Sequence, residues 1–156
     1  MARQGIVMSS LQQFADEFYR RPGVAALLLE LQDRHGLDVL LLLTACWLGR
    51  RGVSPQALDW PALDAGHAQY AEQLVQPLRR VRRLLNGLPN GELIKGPVLE
   101  AELAVEWWLL ARLEKQLEGL AGEAQTSIEL QIQTCAACRG EPPAELLSQL
   151  CRMAGV

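Results

Sequence analysis

The sequence predicts an all-α fold: a compact single-domain bundle of about five to seven helices around a buried central helix at residues 37–50. Three features lead there. Apolar residues recur at spacings of three and four along most of the chain, the period of one helix face. The run Val39 to Leu48 is apolar nearly all round, which in a water-soluble protein marks a helix surrounded by others. Glycine and proline fall between these periodic segments, where helices must end.

Each element follows from its own signals. Leu11, Phe14 and Phe18 share a face, so a first helix is expected over Ser10 to Tyr19 with Ser9 or Ser10 as its cap. Arg21-Pro22-Gly23 ends it, and Pro22 suits the first turn of a second helix that carries Val24, Leu27, Leu28 and Leu31. His35 and Gly36 close that helix, Gly36 at the left-handed cap position. The third, central helix spans Leu37 to Arg50. Val53 to Asp64, with Pro55 and Pro61, reads as a connection holding at most one short helical turn. A fourth helix presents His67, Tyr70, Leu74, Leu78, Val81 and Leu85, with a kink or restart near Gln76 forced by Pro77. Asn86 to Gly96 reads as a loop, and a fifth helix runs from Pro97 to Leu120. Glu123 to Arg139 fits both strand and helix spacing; helix is favoured, since a lone strand has no partner. Pro142-Pro143 opens a short last helix over Glu141 to Arg152.

Composition narrows the class. With 156 residues, 49% hydrophobic and 21% charged, the chain can bury one core, and the whole of 1–156 reads as one domain with a flexible N-terminus at residues 1–8. Fifteen basic against eighteen acidic residues leave a net charge of −3, no field to gather nucleic acid or anionic lipid. The ten-residue run Val39 to Leu48 is about half of what a spanning helix needs, so membrane insertion is not expected. Met1 to Leu11 lacks a signal-peptide core, and Cys46 lies in the most apolar segment; both favour a cytoplasmic protein with reduced thiols.

The run Phe18-Tyr19-Arg20-Arg21-Pro22-Gly23-Val24, then Leu31-Gln32-Asp33-Arg34-His35-Gly36-Leu37-Asp38-Val39, Leu41-Leu42-Leu43 and Trp47-Leu48, resembles a proteobacterial family of short helical proteins known as a domain of unknown function. Pro77-Leu78-Arg79-Arg80-x-Arg82-Arg83-Leu84 is similar to its second block. The resemblance covers about half of the chain. It implies a bacterial cytoplasmic helical protein and brings no activity, substrate or catalytic residue. The chain departs from the family pattern at Gln12 and Leu40, where that pattern carries tryptophan and asparagine.

Two polar groups stand out as binding material. Asp33, Arg34, His35 and Asp38, with Gln32, crowd the junction between the second and third helices. A carboxylate beside His35 would make an acid/base pair. Helix ends account for the same residues, with His35 answering the dipole and Asp38 capping the next helix. Arg79, Arg80, Arg82 and Arg83 place four guanidinium groups around one turn and could grip a phosphate or a carboxylate-rich partner. Without interleaved aromatic residues, nucleic acid is a weaker reading. Cys135-Ala136-Ala137-Cys138 has the spacing of half a zinc site, but no second close pair accompanies it. Glu100, Glu102, Glu106 and Glu114 line the fifth helix without the Glu-x-x-His of di-metal bundles, and Asp64-x-x-His67 is the nearest approach.

No catalytic constellation, cofactor motif or metal site emerges, so the leading expectation is a non-enzymatic interaction or regulatory protein. It would meet a protein partner through Arg79 to Arg83 and the Asp33 to Asp38 junction. Adjacent Trp107 and Trp108 cannot face one neighbour, which makes a homodimer through the fifth helix a further expectation. The alternative is a small helical enzyme or ligand-binding protein with a pocket for an anionic compound near Asp33, His35 and Arg79 to Arg83.

Overall fold

The computed structural model describes residues 8–120, 122 and 128–155. All regular structure among them is helical. The flexible start expected at residues 1–8 lies, except for Met8, outside the described residues, as does the 123–127 part of the segment that fitted two periods.

Helix α1 (Ser10–Tyr19) opens with a capping box: Ser9 Oγ accepts from Gln12 N, and Gln12 Oε1 accepts from Ser9 N at 2.9 Å. Helix α2 (Val24–His35) starts two residues later than the expectation built on Pro22. Gly23, at φ +84°, holds a left-handed turn that α-helical backbone cannot continue through, so Pro22 stays in the connection. Gly36, at φ +66°, closes α2 as expected, its N–H donating to Gln32 O. Asp38 then caps α3 (Val39–Arg50), its Oδ1 accepting from Leu41 N at 3.0 Å.

A 3₁₀ turn (Pro55–Ala57) leads to α4 (Trp60–Tyr70), which begins inside the stretch expected to be a connection. Asp59 caps it, and Pro61 occupies the first turn, where no backbone donor is required. From α4 the chain passes without a break through a π-helical turn (Ala71–Val75) into α5 (Gln76–Leu85). This is how the expected disturbance at Pro77 is resolved: Gln76 N–H reaches back to Ala71 O, and the widened turn accommodates a proline that would clash in a regular one.

Helix α6 (Glu92–Gln116) starts five residues before the expected Pro97. Asn90 at φ +60° completes the preceding turn, so the loop is shorter than its glycines and prolines suggested. Pro97 lies within this helix, where its missing N–H leaves the carbonyl of Leu93, a residue 75% exposed, without its intrahelical partner. Helices α7 (Ile128–Ala137) and α8 (Ala144–Ala154) complete the fold, so the segment that fitted both periods is helical where described.

Every residue from Leu40 to Gly49 is buried, and α3 packs against α1, α2, α6, α7 and α8. One hydrophobic cluster draws on Leu11 and Phe18 of α1, Leu28 and Leu31 of α2, Trp60 of α4, Trp107 and Leu110 of α6, Ile132 of α7 and Leu150 of α8. The approach of α7 is closest at Gly49, where a Cβ would lie 2.6 Å from the Cα of Ile128. Gln131, fully buried, joins α7 to two other segments: its Oε1 accepts from Trp60 Nε1 at 2.9 Å, and its Nε2 donates to Val53 O at 2.6 Å. No described helix is long and apolar enough to cross a membrane.

Candidate functional site

A cavity of about 260 Å³ opens between the α2–α3 junction on one side and the rod of α4, the π turn and α5, with α6, on the other. Its walls are apolar at Leu29, Leu40, Leu43 and Leu109 and charged at Asp38, Arg79, Arg82, Glu102 and Glu106.

Local structure explains how these side chains meet. Asp38 is held at the head of α3 by its capping bond, which uses Oδ1 and leaves Oδ2 facing His67 Nε2 at 3.1 Å. His67, on α4, is 1% exposed. Its Nε2 lies 3.1 Å from Asp38 Oδ2, a contact that ties the two side chains together, while Nδ1 has no hydrogen-bond partner among the described residues. Burial pulls the Asp38 carboxyl upward, yet the neighbouring imidazole, the Leu41 amide and the Arg139 guanidinium hold it below the usual aspartate value. Arg139, at the end of α7, grips both oxygens of Asp64 and donates to Gly36 O at 3.2 Å, which braces the corner where Asp38 sits.

The opposite wall comes from α5 and α6. Arg82 Nε donates to Glu102 Oε1 at 2.8 Å, and the Glu102 side chain is only 7% exposed. Glu106, one turn along the same face, has no ion pair or hydrogen bond among the described residues. Burial pushes its carboxyl upward; Arg79 and Arg82 oppose this, while Glu102 and Asp38 add to it. Tyr19, at the end of α1, is raised by burial and by the charge of Glu106. Arg79 makes a single long hydrogen bond, 3.4 Å to Gln32 Oε1.

Of the residues singled out in the sequence as binding material, Gln32, Asp38, Arg79 and Arg82 line this cavity. Asp33, Arg34 and His35 are exposed at the end of α2 and outside it, with Arg34 4.0 Å from Glu30. Arg80 and Arg83 are exposed and do not line the cavity. Sequence reasoning missed His67, Glu102 and Glu106 as partners of one site. The helical spacing of Glu102 and Glu106 was visible, but nothing local shows that α5 and α6 turn those carboxylates toward the α2–α3 corner.

Cys135 and Cys46 are buried, and burial pushes both thiols upward. Cys138 and Cys151 are partly exposed. Among the described residues no group of three or more histidine, cysteine, aspartate or glutamate side chains is arranged to hold a metal ion.

Fold and site together define a class: an all-helical protein with a small, charge-lined cavity between helices. The chain matches the model of the family described as "Protein of unknown function (DUF2390)" over residues 10–113, and it belongs to that family. The matched span takes in α1 to α5 and most of α6, and with them every charged residue that lines the cavity. No curated protein and no solved structure matches the chain.

Proposed function

We propose that the protein binds a small polar molecule bearing a carboxylate or phosphate group in the cavity between the α2–α3 corner and the α5–α6 hairpin. The observation that carries this reading is His67: an imidazole almost wholly buried, held at Nε2 by Asp38 but with Nδ1 lacking a hydrogen-bond partner among the described residues, on the wall of a charged cavity. Such a group costs stability unless something satisfies it, and in native proteins it points to a use.

The two charges left over support the same conclusion. Arg79 offers a guanidinium engaged only by a neutral amide, suited to receive an anion in a forked contact. Glu106, near enough to feel the Arg79 charge, has no hydrogen bond or ion pair among the described residues and can accept a donor group of the ligand. A volume of about 260 Å³ falls below the range of about 300 to 1,000 Å³ typical of drug-sized ligands, which restricts the occupant to a small metabolite. Among the carboxylates that line the cavity Asp38 caps α3 and Glu102 pairs with Arg82, so binding is the economical role.

The test is a thermal-shift screen of amino acids, small carboxylates and phosphate esters, repeated with Arg79→Ala and Arg80→Ala. A ligand should raise the melting temperature of the wild type and of Arg80→Ala. Arg79→Ala should bind it about 10-fold to 100-fold more weakly, the worth of a charge-assisted contact. Equal losses in the two variants would move the site to the outer face of α5 and refute the cavity.

A second reading is a protein partner docked on the outer arginines. Arg80 and Arg83, with Asp33, Arg34 and His35, are exposed and free of the cavity, which suits such a partner.

A further inference from the structure

Six large apolar side chains are left in solvent along one short stretch, at the closed end of the α5–α6 hairpin. Val81 is 42% exposed, Leu84 69%, Leu88 55%, Leu93 75%, Ile94 52% and Leu99 41%. At Leu84, Leu88, Leu93 and Ile94 more than half of the residue meets solvent, a concentration unlike the singly scattered apolar residues of an ordinary monomer surface. The hairpin also carries unspent charge. Arg80 and Arg83 are exposed on α5, Glu92 and Glu100 are exposed on α6, and none of the four has an ion pair among the described residues.

We infer that this end of the hairpin is the interface with a second copy of the chain, α5 of one protomer lying against α6 of its partner about a two-fold axis. A two-fold interface must be self-complementary, and this surface is. Leucines meet leucines, while the cations of one α5 face the carboxylates of the other α6. The balance of charge selects this occupant. Arg80 and Arg83 on α5 are opposed in the partner by Glu92 and Glu100 on α6, the further cation there, Lys95, is half-buried and donates to Asn86 Oδ1, and the whole chain carries −3, which gives no global attraction to a nucleic acid or an anionic bilayer. The same hairpin supplies Arg79, Arg82, Glu102 and Glu106 to the cavity, so pairing braces one of its walls.

Light scattering and sedimentation of the full chain across a wide concentration range test this. The expected mass is twice 17.2 kDa. The variant Arg80→Glu/Arg83→Glu should dissociate at least 10-fold more readily, and adding Glu92→Arg/Glu100→Arg to it should restore the dimer. Leu84→Ser, which alters an exposed side chain, is the second variant and should also weaken pairing while circular dichroism keeps the helical content. A mass of 17.2 kDa at every concentration overturns the inference, as does a charge-reversed pair that stays dimeric or a fourfold swap that does not recover. A monomer that binds phosphatidylglycerol vesicles through Leu84 would assign the patch to a membrane and equally overturn it.

Discussion

Asp38 does two jobs with one carboxylate, and replacing it in two ways separates them. Oδ1 caps α3, and Oδ2 faces the buried imidazole of His67. Asp38→Asn keeps an oxygen at the cap, where asparagine serves about as well as aspartate, so less than about 0.5 kcal/mol of cap stability should be lost. Asp38→Ala removes the cap from the helix at the centre of the core and should cost about 1–2 kcal/mol. In a chain of this size that lowers the melting temperature by about 2–4 °C per kcal/mol. The acid limb carries the second signature. Asp38 has a lowered pKa in the folded protein, so the unfolded chain binds its proton more readily. Its contribution is therefore complete above the unfolded value near 3.8 and is lost as pH falls through the folded value. Urea titrations at pH 7 and at a series of pH values below 5 read both effects. Asp38→Asn should flatten the acid limb and lose at pH 7 only the part of the stability that depends on the charge, less than Asp38→Ala loses. If asparagine costs as much as alanine at pH 7, or if both variants keep the wild-type acid limb, the dual role assigned to this carboxylate is wrong.

Further consequences are as concrete. Gln131→Leu leaves Trp60 Nε1 and Val53 O buried without partners and should cost about 2–4 kcal/mol by denaturant unfolding; a loss under 1 kcal/mol would mean the bridge is dispensable. Gly49→Ala places a methyl against the Ile128 backbone and should cost about 1–3 kcal/mol, whereas an unchanged melting temperature would show that α7 moves away freely. Glu106 has a raised pKa, so the stability linked to its protonated form is complete below the unfolded value near 4.5 and lost as pH rises through the folded one. Glu106→Gln should therefore raise the melting temperature at pH 7, lose that advantage at pH 4 and weaken the ligand; a variant less stable than wild type at pH 7 would contradict the assigned environment.

What the sequence made legible was whatever local rules decide. Leu40 to Gly49 could only be a buried helix, and Gly36 and Asp38 marked a helix end and a helix start one residue apart. Boundaries slipped where a proline was taken to mark a connection or a helix start. Pro61 sits in the first turn of α4 and Pro97 within α6, five residues past its start, and local sequence rules do not separate these placements from a helix boundary. The arginine cluster shows the limit most clearly. Its four members look equivalent in sequence, yet helical rotation sends Arg79 and Arg82 to the cavity and leaves Arg80 and Arg83 in solvent. His67 read as a packed imidazole, and packed it is; that α3 brings Asp38 within 3.1 Å of its Nε2 while Nδ1 is left without a partner among the described residues is a matter of tertiary packing.

Only two histidines are present, His67 on the cavity wall and His35 exposed outside it, so each serves as the other's control. Imidazole resonances followed by NMR while the best ligand of the thermal-shift screen is added test the cavity most directly. Binding there should move the His67 ring signals in saturable fashion and leave those of His35 in place. A ligand that stabilises the protein while shifting only His35, or neither, would show that the cavity is not where it binds.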